Sequence, residues 1–229
     1  MPAFAVILPA AGRSTRFGTP WTKKVYADLL GKPVWLRAAE AFSGRPDVVE
    51  VVLAIAAEDR ESFGRRDASL AGSMNLKVID GGEERSETIA KALDALTSSA
   101  DYVAVHDAAR PCVEPSLIEA VFAAAVAHGA ALPGLAVTDT LKRLDDDGHA
   151  GATVSRAGLI AVQTPQAFRR ELLVRAYARR REVGSVTDDA QLVEAIGSRC
   201  WVVQGSAANL KITVGADLAR ASAILRERG

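Results

Sequence analysis

Val6-Ile7-Leu8-Pro9-Ala10-Ala11-Gly12-Arg13-Ser14-Thr15-Arg16 decides the fold: an apolar run of strand character empties into a small-residue loop carrying two arginines. Lys23 and Lys24 follow a few residues later. Small side chains let backbone N–H groups approach phosphate oxygens closely, and cations beside them neutralise charge that builds during phosphoryl chemistry. The stretch therefore predicts a strand that ends in a seat for a polyphosphate.

Outward from that strand, short apolar runs alternate with helical patterns. Strands are expected over 4–8, 48–55, 76–79, 102–105, 131–137 and 201–204. Helices are expected over 33–42, 58–70, 84–96, 115–128, 170–181, 188–196 and 217–228. Parallel neighbours need crossover connections, which helices supply, so the alternation predicts a Rossmann-like α/β fold with a mainly parallel sheet. Ligands of such sheets sit outside the carboxyl ends of the strands. Segments 138–164 break the alternation, with Asp145-Asp146-Asp147-Gly148 as a turn between β-competent flanks. That reads as a protruding β-hairpin arm on a single domain spanning 1–229, able to mediate dimerisation by burial against another subunit.

The bulk properties exclude several classes. In the 229-residue chain, 28 Lys and Arg balance 28 Asp and Glu, so nothing in the global charge recruits nucleic acid or an acidic membrane surface. Two cysteines, Cys112 and Cys200, are too few for a disulfide framework and lack metal-ligand spacing. With neither an export signal nor a bilayer-length apolar run, the expected setting is cytoplasmic.

Three further clusters follow strands directly. Gly81-Gly82-Glu83-Glu84-Arg85-Ser86-Glu87-Thr88 opens a helix, where backbone donors are free for a nucleotide and Ser86 or Thr88 can add a hydroxyl. In His106-Asp107-Ala108-Ala109-Arg110-Pro111, Asp107 can hold a divalent ion, accept a substrate hydroxyl, or pair with Arg110. Mg2+ is the expected companion of a nucleoside triphosphate. Thr140, Arg156, Thr164, Thr187 and Lys211 bring hydroxyls and cations suited to a second, smaller anion. The phosphate loop of Walker-type enzymes, the nucleophile elbow of serine hydrolases and the dinucleotide fingerprint are all missing from the sequence.

Taken in order, Pro9-Ala10-Ala11-Gly12 with Arg16, Lys24-Val25-Tyr26, Gly81 to Arg85, Val105 to Pro111, Asp139-Thr140-Leu141-Lys142, Thr164-Pro165-Gln166, Thr187-Asp188-Asp189 and Asn209-Leu210-Lys211 resemble the 2-C-methyl-D-erythritol 4-phosphate cytidylyltransferase family over nearly the whole chain. The resemblance implies a nucleotide-diphospho-sugar transferase type of fold and a homodimer. It also implies a reaction joining CTP to 2-C-methyl-D-erythritol 4-phosphate, with release of pyrophosphate, in the non-mevalonate isoprenoid route. By the same resemblance Ala10, Ala11, Gly12, Gly82 and Thr88 surround CTP, and Asp107 sits where the two substrates meet. Thr140, Thr164 and Thr187 position the acceptor, and Arg16, Lys24, Arg156 and Lys211 are the catalytic cations. Two departures stand out. Ser14 occupies a position where the family usually has glycine, and Lys23-Lys24 leaves two amines for one role. The alternatives are a cytidylyltransferase for another polyol phosphate such as ribitol 5-phosphate, and a non-catalytic nucleotide-binding module on the same fold.

Overall fold

The computed structural model describes residues 1–12, 14, 17, 23–184 and 186–228. In chain order it runs β1 (Phe4–Pro9), β2 (Asp28–Leu29), β3 (Lys32–Pro33), α1 (Val34–Glu40), β4 (Val48–Ile55), α2 (Arg60–Arg66), α3 (Ala68–Ser73) and β5 (Lys77–Asp80). It continues α4 (Arg85–Ala95), β6 (Tyr102–Val105), α5 (Pro115–His128), β7 (Ala130–Ala136), β8 (Leu141–Leu144), β9 (Ala150–Val154) and β10 (Ile160–Val162). The remainder is β11 (Gln166–Arg169), α6 (Arg170–Ala178), α7 (Arg180–Val183), α8 (Asp189–Ala195), β12 (Trp201–Gln204) and α9 (Ala216–Arg228).

Burial on both faces is written into β1. Phe4, Val6 and Leu8 enter one core with Trp35 of α1, Phe63 of α2 and Ile118, Val121 and Phe122 of α5. Ala5 and Ile7 enter another with Ile89 and Leu93 of α4, Leu173 and Tyr177 of α6 and Leu192 of α8. Because strand side chains alternate, a continuous apolar run feeds two helical layers at once. A third cluster, holding Leu29, Val34, Cys112, Ile212 and Ala221, packs α9 against the loop end.

The sheet runs β5-β4-β1-β6-β11-β7, and β1/β4, β1/β6, β4/β5 and β7/β12 are parallel. β11 is antiparallel to both β6 and β7, and β10 is antiparallel to β7. Ala131 pairs with β11 and β12, and Gly134 pairs with β10 and β12, so β10 and β11 follow one another along the same edge of β7. This reversal has a consequence for the site: residues that precede β11 reach the edge where the parallel strands end.

The helix of 115–128 has the expected bounds, since Pro115 starts it and left-handed Gly129 (φ 83°) stops it. The segment expected as one helix over 58–70 divides into a 3-10 turn and two short helices, interrupted at buried Asp67 (φ −121°). The arm is a β8–β9 ribbon whose Gly148 (φ 81°) makes the turn, and Asp145 accepts the His149 N–H at 2.7 Å. The flank that returns from this turn is two strands: β9 stays in the ribbon, while β10 joins the main sheet.

Candidate active site

At the carboxyl ends of β1 and β6, Pro9, Ala11, Gly12, Lys24, Gly82, Arg85, Thr88, Asp107 and Lys211 line one cleft of about 590 Å3 including its mouth. The strand ends supply Pro9 and Asp107, and the start of α4 supplies Arg85. Gly81 stands against Ala11 so closely that a Cβ on it would lie 2.6 Å from the Ala11 Cβ. A larger residue at 81 would push the two loops apart.

Asp107 organises the charge. Its Oδ2 lies 2.7 Å from Lys211 Nζ and 3.8 Å from Arg110 Nε, and Oδ1 lies 3.7 Å from Arg85 Nε. Burial works against ionisation, yet Lys211, Arg85 and Arg110 together hold its carboxyl well below the usual carboxylate range. Arg85 is itself fixed by a two-pronged pair with Asp189, at 3.1 and 2.6 Å. Asp189 is wholly buried and also accepts from the Tyr177 hydroxyl. Burial disfavours the Arg85 cation, but Asp189 and Asp107 more than compensate and keep it charged.

His106 is wholly buried beside Asp107 and does not face the cleft as a base. Its Nε2 meets the Arg110 carbonyl at 3.1 Å and its Nδ1 meets Thr164 Oγ1 at 3.2 Å. Those partners assign the neutral Nε2–H tautomer, accepting from the threonine hydroxyl. Burial pulls its pKa down to about 4. Thr164 Oγ1 also accepts the Asp107 N–H at 3.1 Å, and the Thr164 carbonyl accepts from Asn209 Nδ2 at 2.8 Å. Thr164 thus holds the backbone of Asp107 from the start of β11, across a cis Thr164-Pro165 bond.

The expected site residues divide into groups. Ala11, Gly12, Lys24, Gly82, Thr88, Asp107 and Lys211 converge on the cleft. Ala10 is buried in the core, its N–H spent on the Ala54 carbonyl at 2.7 Å. The donors expected to be free at 81–88 are partly taken: Thr88 Oγ1 accepts the Gly82 N–H at 2.9 Å, and Glu87 accepts the Glu83 N–H at 3.0 Å. Thr187 is exposed at the start of α8, two positions before Asp189. Thr140 and Arg156 lie exposed on the arm, where the Arg156 guanidinium donates to the Thr138 carbonyl; neither lines the cleft. Arg16 lies outside the described residues.

The two lysines differ plainly. Lys23 Nζ pairs with Glu58 at 2.7 Å and Asp59 at 2.9 Å, whereas Lys24 lines the cleft. Ser14, at the position usually glycine, has a left-handed backbone (φ 54°), which explains that preference. Its hydroxyl accepts the Lys24 N–H at 3.2 Å, so the serine adds a tie to the loop. The Arg85–Asp189 pair was not legible as a pair in the sequence: the partners stand 104 positions apart, and only their places in two quoted motifs marked them.

The 2-C-methyl-D-erythritol 4-phosphate cytidylyltransferase (IspD) family matches residues 4–227 of this chain. The chain belongs to that family. Among the relatives of this cytidylyltransferase-family chain is the 2-C-methyl-D-erythritol 4-phosphate cytidylyltransferase of Rhodopirellula baltica, 41% identical over 97% of this chain and 95% of that protein. The bifunctional IspD/IspF enzyme of Rhodospirillum rubrum is 42% identical over the full chain, which spans 59% of that longer protein. The crystal structure of the Thermus thermophilus cytidylyltransferase is similar with a TM-score of 0.80 and 34% identity, covering 99% of this chain and all of that one. The Anaerococcus prevotii 4-diphosphocytidyl-2C-methyl-D-erythritol synthase gives a TM-score of 0.82 at 26% identity, over 98% and 96%. Fold class, enzyme class and the reaction expected from the sequence are those of the IspD family. Among the described residues no helix is long and apolar enough to cross a membrane.

Proposed function

We propose that this cleft carries out cytidylyl transfer with the residues in the following roles. The Pro9 to Gly12 loop and the Gly82 to Thr88 helix start hold CTP between them. An oxygen of the acceptor's phosphate attacks the α-phosphorus, the bond from that phosphorus to the β-phosphate oxygen breaks, and pyrophosphate leaves. An ionised phosphate needs no protein nucleophile or strong base, in keeping with a neutral, buried His106. Catalysis is alignment and charge neutralisation. Lys24, Lys211 and Arg16 are the cations assigned to the crowded phosphorus, and Asp107 sets the position of the Lys211 amine and faces the acceptor.

The observation that carries this reading is the convergence of Lys24, Arg85 and Lys211 on a cleft whose buried carboxylate, Asp107, is held ionised. The donor set suits Mg2+. Among the described residues no three His, Cys, Asp or Glu side chains gather as a protein-only cage, and Mg2+ is characteristically bound by one or two carboxylates with substrate phosphates. Asp107 Oδ1, with no donor closer than Arg85 at 3.7 Å among the pairs of its carboxylate, would hold it together with CTP; when bound it supplies further neutralisation of phosphate charge.

In this reading Lys211, with Thr164 and Thr187 of the same chain, positions the acceptor. Thr140 and Arg156 complete that set from the arm of a second subunit: both stand exposed at the base of the β8–β9 ribbon, which carries large apolar groups such as Leu144 in solvent. On this reading 1–229 forms one domain with 138–164 as its dimerising arm, and the protein is a cytoplasmic homodimer. Pyrophosphate release measured with 2-C-methyl-D-erythritol 4-phosphate, ribitol 5-phosphate and each nucleoside triphosphate tests it. The expected result is turnover with CTP and the methylerythritol phosphate. CTP binding without release under every acceptor would establish a binding module instead, and faster turnover of the ribitol phosphate would reassign the acceptor.

A further inference from the structure

The turn that carries Lys24 is fixed from outside the cleft by a carboxylate that belongs to neither substrate site. Residues 24–26 form one 3-10 turn, with the Tyr26 N–H donating to the Lys23 carbonyl at 2.9 Å. Side chains three apart on such a turn point to the same side. Lys23 and Tyr26 do so, and both end on Asp59: Lys23 Nζ at 2.9 Å and the Tyr26 hydroxyl at 3.1 Å from the same oxygen, Oδ2. Lys24, one residue on from Lys23, is turned away from that side and lines the cleft.

Asp59 stands in a separate element, the 3-10 turn of Ala57–Asp59 that follows β4, and its side chain is only 13% exposed. Exposed ion pairs contribute little, whereas a shielded carboxylate with two donors fixes geometry. The Tyr26 ring is packed as well, with Arg66 5.1 Å above its centroid and Phe63 at 6.5 Å. Burial and the Asp59 charge keep the Tyr26 hydroxyl protonated as a donor, and Glu58 and Asp59 outweigh burial in keeping Lys23 charged.

We infer that Asp59 is a positioning residue for the transfer reaction, setting the rotation of the 24–26 turn through Lys23 and Tyr26 so that Lys24 faces the phosphates. The inference rests on the role proposed for Lys24. It makes Lys23 a tether, the reason two adjacent lysines are present where one amine is needed.

A double-mutant cycle tests it: kcat and KM for CTP of wild type, Asp59→Asn, Lys24→Ala and the pair, with thermal melting of each. The expected result is a kcat about 10- to 100-fold lower for Asp59→Asn, as misplacement of a catalytic group by an ångström produces, and a change under about twofold when Lys24 is already alanine. Equal losses in both backgrounds, or no loss in wild type, would overturn it. Should Asp59→Asn not fold, Lys23→Met combined with Tyr26→Phe replaces it in the same cycle. Lys24→Ala alone reports on the underlying reading: a kcat near wild type would remove Lys24's role and the inference with it, while a large loss there with non-coupled Asp59 effects would remove the inference only.

Discussion

On the roles proposed above, the cleft and the arm meet the same requirement, placing cations near phosphate, in opposite ways. In the cleft two cations are fixed by an anion of the same chain, Arg85 by Asp189 and Lys211 by Asp107, and Lys24 stands on a turn held from outside by Asp59. The cradle is set before any ligand arrives, so little rearrangement is needed when charge develops. On the arm, Thr140 and Arg156 stand exposed just before β8 and just after β9, at the base of a two-stranded ribbon, and such a ribbon is marginal by itself. The difference teaches what a single copy pre-sets: the cleft's charges are held within one chain, while the residues proposed for the arm's part in the site stand exposed.

Several measurements would break or sharpen that contrast. Lys24→Ala should lower kcat by about 1000-fold with the fold retained, the scale on which a transition-state donor acts, while Lys23→Ala should lower it by about tenfold or less. The reverse ranking in steady-state kinetics would move the working amine to Lys23. Asp189→Asn leaves Arg85 with half its pair in a buried setting and should cost about 3 kcal/mol in urea unfolding. A loss too small to resolve would mean that the cleft is no more pre-set than the arm.

Subunit mixing addresses the arm. Arg156→Ala should raise KM for the acceptor by about tenfold, near the loss of one charge-assisted hydrogen bond. Assayed at acceptor concentrations well below KM, where Arg156→Ala runs at about a tenth of the wild-type rate, a mixture with Lys24→Ala protein should reach about a quarter of wild-type activity, because half of the random dimers would carry one intact composite site. No recovery after verified subunit exchange would place Arg156 in the cleft of its own chain. A last measurement concerns pH. His106 titrates near 6.5 when unfolded and about 4 when folded, so the unfolded chain binds more protons between those values. Its contribution to stability is fully present above about pH 6.5 and is lost as pH falls toward 4. Urea midpoints across that window should fall more steeply for wild type than for His106→Gln, and parallel curves would contradict the assignment.

The layered sheet was legible because β1, β6 and the 51–55 half of β4 are apolar runs, and because Pro115 and Gly129 punctuate α5. β11 was not. It is four residues long, begins directly after Pro165 and carries Gln166, whose side chain bonds to Asp188 and to the Ala190 N–H, so its polarity serves a helix start and hides its strand character. β10 was merged with the arm because no breaker stronger than Gly158 separates them in sequence, and only pairing with β7 tells them apart. The cleft's cations were legible as residues of suitable chemistry. Their fixed partners were not, because a pair such as Arg85 with Asp189 is made by tertiary packing rather than spacing. Between Lys23 and Lys24 the sequence favours Lys24 by its spacing to Tyr26, and the engagement of Lys23 with Glu58 and Asp59 supports the proposal of Lys24 as the working amine.

The backward course of β11 ties the arm and the cleft into a single length of chain. Reversal delivers Thr164 to the rim ahead of the strand instead of behind it, so the polypeptide leaving the ribbon arrives straight at the hydroxyl that grips Asp107. A neighbour pulling on the ribbon therefore has a covalent route of few residues, through β10, to the most guarded carboxylate of the pocket.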